Sequence, residues 1–403
     1  MGIIQWFHRV SMQDLMFQIV TLFCCNTDFV LVNCNQHKNS SADAQFWGYA
    51  AGGLMMIDVR IEKTKILDLP MSYAISILHR ENGDLCVCAS EGLGGCYVFP
   101  LKTLAPVYTV WENAGGCMSI VQTEEDGTFL AVQNFFKGFN AKQGRLVKAT
   151  PSGDNKWTIE QFLDMPYLHR FDVIDIDDRK FLIACTLCKN KEFREDWSEP
   201  GTVYLGELKS GTMPPEIMDQ IIPSLTKNHG FYRGIHHGKD VLLISGMEGL
   251  FEVTIPRCAD APWLHEKLID REISDAAIVD IDNDGIEEII TIEGFHGDHI
   301  AINKLVDKQW TEVYRYPAPF AHIVWGGVIL GRQSLLLAYR NDNGALILLR
   351  KSKRDSAYYM DNLVIDELVS PTNLVVDSQA DHCHIFCSCG KTQQVVRYTL
   401  TNK

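Results

Sequence analysis

The sequence predicts an all-β protein built from repeated four-stranded units. Three observations predict this class: helical periodicity is nearly absent, short apolar runs of strand length recur along the 403 residues, and the runs follow one order in successive segments. The chain is 46% hydrophobic, which is enough apolar content for a large buried core. The fold is inferred from the way in which this small unit repeats.

The clearest copy of the unit covers residues 271–319. It reads as an apolar strand (DAAIVDID), an acidic hairpin, a second strand (EIITIE), a longer loop, a third strand (HIAINKL) and an alternating fourth strand (WTEVYRYPAP). The same order recurs from eight first strands, spaced roughly 45 to 60 residues apart, which begin at Met16, Tyr73, Cys117, Arg170, Phe231, Asp275, Ala321 and Thr372. Eight units of four strands are thus expected.

A four-stranded sheet of about 50 residues cannot bury both of its faces alone. Radial stacking around a channel buries both faces and leaves only short edges, which is the architecture of a β-propeller. The sequence predicts one propeller domain over residues 1–403 with eight blades, or seven, because the first and last copies are the most degraded. The last unit ends at Leu400 without an outer strand, so we expect the N-terminal strand IIQWFHRVS (residues 3–11) to close it.

Net charge and hydropathy argue against two classes of partner, nucleic acids and membranes. Lys and Arg number 37 against 51 Asp and Glu, the net charge is −14, and no basic run could neutralise a row of phosphates, so we expect no nucleic-acid partner. The longest apolar run, residues 15–25, is far shorter than the roughly 20 residues that cross a bilayer, so we expect no membrane span.

The same apolar run is a poor signal segment. Asp14 precedes it directly, no Lys lies before it, and no small-x-small cleavage site follows. The 13 cysteines are odd in number and have no recurring spacing, which favours reduced thiols. We therefore expect a cytoplasmic protein, with secretion as the alternative. A zinc site is a further alternative, with ligands from Cys185 and Cys188 or from Cys383, Cys387 and Cys389.

The hairpin of the clearest copy reads DIDNDGIEE, between AAIV and IITI. It resembles the FG-GAP/VCBS propeller repeats, which place a calcium-binding D-x-D-x-D-G loop between the first two strands of a blade. The resemblance implies side-chain ligands from Asp280, Asp282 and Asp284, a backbone carbonyl from Ile286 and a closing carboxylate from Glu288. Calcium takes six to eight oxygens, and the glycine permits the sharp turn. We expect one structural calcium site; the alternative is an acidic hairpin without metal.

Several histidines and other polar residues lie in the segments that a propeller places around its channel mouth. The segments that enter the first strands, and those that join second to third strands, carry His169, Arg170, His229, Tyr232, Arg233, Glu248, His296, His299 and His322. Imidazoles from separate strands with a carboxylate suit a divalent transition metal, zinc or manganese. We predict its ligands as His229, Glu248, His296, His299 and His322.

The remaining residues of this group are predicted to act on a ligand. Arg170 and Arg233 suit a carboxylate or an oxyanion, and a histidine outside the metal site, such as His169, suits a general base. The predicted catalytic set is His169, Arg170, His229, Tyr232 and Arg233. The alternative is that each histidine is a hydrogen-bonded structural residue.

Three long loops fall on the same face, at residues 33–53, 134–144 and 186–201. They carry aromatic residues interleaved with Asn, Gln and Lys: Phe46, Trp47, Tyr49, Phe135, Phe136, Phe139 and Trp197. Such residues suit stacking and hydrogen bonding to a sugar, although packing of loop against loop explains them equally.

These features favour an enzyme: a metal-assisted lyase, dehydratase or isomerase acting on a sugar or sugar acid. The arrangement looks like propeller enzymes such as the aldos-2-ulose dehydratases and, less closely, propeller polysaccharide lyases. The alternative is a non-catalytic propeller that binds a glycan or a protein. The sequence contains no G-x-S-x-G, H-E-x-x-H, Walker A or dinucleotide-binding glycine motif, which disfavours the corresponding hydrolases and nucleotide enzymes.

Overall fold

The computed structural model describes residues 57–403, apart from residue 154 and residues 353–357, together with the backbone of two short strands nearer the N-terminus. The chain divides into two compact units, Met1–Met56 and Ile57–Lys403. In the first unit, strands β1 (Leu22–Cys24) and β2 (Thr27–Phe29) pair antiparallel. That residues 1–403 form one domain stays a prediction.

The second unit contains seven antiparallel four-stranded sheets, the blades of a propeller. Blade 1 comprises β4 (Ser72–Leu78), β5 (Leu85–Ser90), β6 (Cys96–Pro100) and β7 (Tyr108–Trp111). Blade 2 comprises β8 (Ile120–Gln122), β9 (Phe129–Gln133), β10 (Arg145–Pro151) and β11 (Trp157–Asp164). Blade 3 comprises β12 (Leu168–Ile176), β13 (Arg179–Thr186), β14 (Gly201–Glu207) and β15 (Asp219–Leu225).

The next three blades repeat this order. Blade 4 comprises β16 (Gly230–His236), β17 (Lys239–Gly246), β18 (Gly249–Thr254) and β19 (Leu264–Ile269). Blade 5 comprises β20 (Ile273–Val279), β21 (Glu288–Glu293), β22 (His299–Val306) and β23 (Gln309–Pro317). Blade 6 comprises β24 (Ala321–Ile329), β25 (Arg332–Tyr339), β26 (Leu346–Lys351) and β27 (Met360–Asp366).

Blade 7 combines both ends of the propeller unit. Its strands are β28 (Pro371–Ser378), β29 (His382–Cys389), β30 (Gln394–Asn402) and, paired antiparallel with β30, β3 (Val59–Asp68). The strand predicted to complete the last blade, residues 3–11, lies outside the described residues.

The described residues form seven blades, the alternative count, rather than eight. The first strands of neighbouring blades contact each other around the whole ring, including blade 7 with blade 1, which leaves no gap for another sheet. The unit expected to start at Met16 begins outside the described residues. The strand that follows that segment in the sequence, β3, belongs to blade 7.

Burial explains why the blades stack. The second strands β5, β9 and β21 are buried along their whole length, whereas the outer strand β19 is mostly exposed. Side chains of neighbouring blades share hydrophobic clusters: Val87 of blade 1 packs with Phe129 of blade 2, and Ile183 of blade 3 packs with Ile244 of blade 4. Because each core is completed by the next blade, the ring is a rigid frame for the loops at its mouth.

Two further expectations can be compared with the described part of the chain. It contains no helix with the length and hydropathy needed to cross a bilayer. Ten of its cysteines are free thiols, and all of these except Cys258 are buried. None of the ten belongs to a group of three close metal ligands among the described residues, so the alternative zinc site is not assembled there.

Candidate active site at the channel mouth

Five inner strands carry an irregularity at the same place. In β4, β12, β20, β24 and β28 the pairing register with the second strand slips by one residue at the second position of the strand. The residues at these bulges are Tyr73, His169, Ser274, His322 and Thr372. A β-bulge re-aims the side chain that it carries, and repetition around a ring aims these side chains at one region. His229 lies at the corresponding position, directly before β16.

The structure brings the four central histidines together. The ring centroid of His229 lies 4.6 Å from that of His169, 4.9 Å from that of His296 and 5.4 Å from that of His322. They line a cavity of ≈ 790 Å³ together with Tyr73 and other residues. The four histidines are therefore close together, as the sequence predicts.

Three of these imidazoles could hold one metal ion. His229, His296 and His322 each offer a ring nitrogen, and these nitrogens lie within 4.8 Å of one another. Nε2 of His229 is 3.3 Å from Nε2 of His296. Nδ1 of His229 lies 3.2 Å from the carbonyl oxygen of Ser274. If Nδ1 donates a proton to that oxygen, the lone pair of Nε2 faces the cluster, as in many metal-binding histidines.

The third imidazole has a competitor. Nη1 of Arg340 lies 3.3 Å from Nε2 of His322, and the hydroxyl of Tyr73 lies 3.5 Å from the same nitrogen. A guanidinium can only donate, so Nε2 of His322 is the acceptor. Nδ1 of His322 is buried and has no hydrogen-bond partner among the described residues. A metal that takes Nε2 must displace Arg340.

Burial keeps the cluster neutral. It lowers the pKa of His169, His229 and His322 well below the usual value, and nearby Arg170 and Arg340 add to the effect. It lowers the pKa of His296 to about 3, again with help from Arg340. Neutral imidazoles are the form that binds metal, so no proton has to leave near pH 7.

The charged groups at the mouth are paired. Arg340 contacts Glu91 at 3.1 Å, and Lys227 contacts Glu272 at 2.6 Å. Arg194 also lines the cavity. An anionic ligand would therefore meet cations whose charge is already partly balanced.

An aromatic cluster forms one wall of the cavity. Phe139 of blade 2, Trp197 of blade 3 and Phe295 of blade 5 contact one another, with ring centroids 5.2 to 6.0 Å apart. Phe295 stacks on His296 at 4.2 Å, and Lys191 Nζ lies 3.3 Å from the Trp197 ring centroid. Two of the three predicted long loops supply this wall; the third, residues 33–53, lies outside the described residues.

The other predicted catalytic residues do not line this cavity. Arg170 and Tyr232 line a second cavity of ≈ 240 Å³, which shares His322 with the first. It also contains Asp275, and burial raises the pKa of that carboxyl to about 7. Arg233 pairs with Asp172 at 3.2 Å.

Two predicted transition-metal ligands are also placed elsewhere. Glu248 accepts hydrogen bonds from the backbone N–H and the hydroxyl of Thr226, both at 2.7 Å. Nδ1 of His299 lies 2.5 Å from a carboxylate oxygen of Asp298. Neither residue joins the three-histidine group.

Sequence reasoning missed Tyr73, Ser274 and Arg340. Tyr73 and Ser274 stand at the same strand position as His169, so an alignment of the blades by their first strands would have found them. Tyr73 and Ser274 could have been identified from their position within the repeat, but not from their residue type. Arg340 directly follows β25, and the sequence contains no comparable signal for its contact with His322.

The predicted calcium ligands lie in the loop between β20 and β21, except Glu288, which is the first residue of β21. Ligand oxygens of Asp280, Asp282 and Glu288 lie within 4.8 Å of one another. Glu288 is fully buried, whereas Ile286, the predicted carbonyl ligand, has 43% of its surface exposed. Calcium at this loop stays a prediction.

Comparisons with known proteins show the fold. No protein-family model matches the sequence, and a search of curated proteins gave no match. The structure is similar to virginiamycin B lyase from Staphylococcus aureus, with a TM-score of 0.51 and 10% identity over 85% of this chain and 99% of that one. It is also similar to the Dos1 propeller, with a TM-score of 0.52 and 8% identity over 85% and 95% of the two chains. At these identities the likeness shows only that the chain has a β-propeller fold.

Proposed function

We propose that the chain is a metal-assisted lyase, dehydratase or isomerase that acts on a sugar or sugar acid at the channel mouth. The observation that carries the proposal is the group of three neutral imidazoles from adjacent blades, His229, His296 and His322, with ring nitrogens within 4.8 Å of one another. Three imidazole ligands with an open fourth position are typical of catalytic zinc sites.

Zinc or manganese is the proposed ion. When bound, it would polarise a carbonyl or hydroxyl oxygen of the ligand and stabilise negative charge there. Imidazole is a good ligand for zinc, and manganese follows as the weaker binder. The hydrogen bond to Ser274 would hold His229 in the tautomer that binds metal through Nε2.

His169 is the proposed general base. Its ring lies next to His229 but outside the three-histidine group, and its buried Nδ1 has no hydrogen-bond partner in the described part of the chain. A neutral imidazole in this position can accept a proton from a carbon beside the polarised carbonyl. The hydroxyl of Tyr73, beside His322, can donate a proton to a departing hydroxyl group.

The cavity suits a small carbohydrate. Its volume of ≈ 790 Å³ is in the range of ligand pockets. The aromatic wall of Phe139, Trp197 and Phe295 offers ring faces to the apolar side of a sugar. Lys227 and Arg194 line the cavity and could contact a carboxylate, which supports a sugar acid as one substrate class.

Metal analysis tests the first step. Protein dialysed against zinc or manganese should retain about one ion, and His229→Ala should retain none. His384→Ala, a partly buried histidine in blade 7, is the matched control and should retain the ion. Equal metal content in wild type and His229→Ala would contradict the proposed site.

The reaction is tested on the metal-loaded protein. A panel of aldonic, uronic and keto sugars should contain at least one compound whose mass falls by one water or whose NMR spectrum shows isomerisation. His169→Gln should abolish turnover yet keep the metal, because this ring is outside the metal site. Turnover that persists in His169→Gln would assign the base elsewhere.

A non-catalytic binding propeller is the second candidate. The contact of Arg340 with His322 favours it, because the guanidinium satisfies Nε2 without a metal. In that case a sugar acid would bind equally well with and without a chelator, and no member of the panel would be converted.

A further inference from the structure

The acidic loop of blade 5 already surrounds a cation of the chain itself. Lys304, on β22, extends its ammonium group into the loop between β20 and β21. Its Nζ lies 2.7 Å from Asp282, 2.5 Å from Asp284 and 3.1 Å from Glu288. Three of the four carboxylates that resemble calcium ligands therefore contact one ammonium.

The other oxygens of the loop are mostly engaged by backbone N–H groups. The two carboxylate oxygens of Asp280 accept from Asp284 and Gly285, each at 3.0 Å. The second oxygen of Asp284 accepts from Ile286 at 2.9 Å, and that of Glu288 accepts from Ile281 at 2.9 Å. The loop is thus held in its turn by donors of its own chain.

One carboxylate oxygen of the loop is engaged neither by Lys304 nor by a backbone N–H group of the described residues. Oδ1 of Asp282 is buried and has no hydrogen-bond partner among the residues that the structure describes. Calcium needs six to eight oxygens, and one uncommitted carboxylate oxygen falls far short of that number. The cavity beside Asp282 and Asp284 is also lined by the cations Arg332 and Lys351, which disfavour a further positive ion.

We propose that the acidic loop of blade 5 is a latent calcium site, in which the Lys304 ammonium takes the place of the metal ion. Partial burial opposes the charge on Lys304, but the hydrogen bonds to Asp282, Asp284 and Glu288 outweigh burial and raise its pKa. Blade 5 keeps its hairpin without calcium, independently of what binds at the channel mouth.

Removal of the Lys304 ammonium should allow the acidic loop to bind calcium. In Lys304→Met, one oxygen each of Asp282, Asp284 and Glu288 loses its partner, and four carboxylates remain without a central cation. Together with Oδ1 of Asp282 and water, these oxygens can supply a calcium coordination shell. The variant should bind one calcium with a dissociation constant of about 10⁻⁵ to 10⁻³ M, whereas the wild type should bind none.

The experiment combines calorimetric titration of calcium chloride with thermal denaturation in calcium or chelator. The melting temperature of the wild type should not change between the two conditions. That of Lys304→Met should fall by roughly 5 °C or more in chelator, because unpaired buried charges are costly, and should recover in calcium. Lys308→Met, which removes an exposed lysine from the next turn, should behave as the wild type.

Several results would overturn the proposal. One is stoichiometric calcium binding by the wild type that Asp282→Asn abolishes, which would mean that calcium displaces Lys304. Another is a folded Lys304→Met that binds no calcium. If the variant does not fold in chelator, refolding is repeated in calcium, and failure there also excludes a latent site.

Discussion

The histidine cluster at the channel mouth and the acidic loop of blade 5 both gather potential metal ligands, but their donor atoms differ in state. In the loop, Lys304 and backbone N–H groups engage almost every carboxylate oxygen. In the cluster, His229 and His296 present ring nitrogens to each other, and only His322 is contacted by a cation, Arg340. Most carboxylate oxygens of the loop are thus held by cationic or N–H donors, whereas two of the three imidazoles face each other through Nε2.

The difference follows from the chemistry of the two ligand types. A buried carboxylate that is charged and unpaired is costly, so a lysine in reach removes a large free-energy penalty. A buried imidazole can instead fold in its neutral form. The histidine cluster can therefore remain without a cation at little cost in free energy. The acidic loop needs a cation, and Lys304 supplies it.

The largest expected effect comes from the backbone that carries His296. A Cβ at Gly297 would lie 1.5 Å from the carbonyl oxygen of Glu293, so Gly297→Ala must shift the loop. We expect zinc affinity to fall by about 100-fold, since misplaced ligands are costly. Calorimetry measures the change, with Asp298→Asn, an exposed change in the same loop, as control.

Unchanged zinc affinity in Gly297→Ala would show that His296 does not contribute to the site. The acidic loop lies at the other end of β21, so its response should be independent of this substitution.

Removal of Arg340 should have the next largest effect, and in the opposite direction. Arg340→Met frees Nε2 of His322, removes a positive charge and leaves Glu91 unpaired at the cavity. A unit charge about 4 Å away is worth a few kcal/mol at intermediate dielectric, so zinc should bind at least about 10-fold more tightly.

Arg315→Met serves as the control for Arg340→Met, because Arg315 is exposed and pairs with Glu312. Weaker zinc binding in Arg340→Met would mean that this arginine positions His322 rather than competing for it.

A third prediction concerns the pH dependence of stability. The pKa of buried His229 is lowered in the folded protein, so its contribution to stability is present above the unfolded value of about 6.5 and is lost as the pH falls below it. Each such ring costs up to about 1.4 kcal/mol per pH unit. Urea denaturation of the metal-free protein at pH 7 and pH 5 should show the loss, and His229→Gln should reduce it.

His79→Gln is the control for the pH effect, since the His79 side chain is 75% exposed. An equal pH dependence in wild type and His229→Gln would contradict a buried, neutral His229.

Much of the fold could be predicted from the sequence because strands and hairpins are local. The predicted start at Asp275 falls inside β20, and the start at Ala321 coincides with that of β24. The blade count was wrong in the first choice, because hydrophobic pattern alone cannot tell whether a strand such as β3 belongs to its neighbours in sequence or to the far end of the chain.

The site was predictable in part for the same reason. Histidines at equivalent positions of the repeat could be found from the sequence, and the structure brings His169, His229, His296 and His322 together. Contacts across strands could not be found in this way. Lys304 reaches Asp282 from 22 residues away, and Arg340 reaches Glu91 from 249 residues away, so neither contact has a signature in local sequence.

X-ray absorption of the zinc-loaded wild type tests the central claim most directly. If His229, His296 and His322 hold the ion, the spectrum should show about three nitrogen ligands at roughly 2.0–2.1 Å with imidazole scattering. His229→Ala should lose this signal. A shell dominated by carboxylate oxygen or by sulfur, or a spectrum unchanged in His229→Ala, would contradict a metal site at the channel mouth.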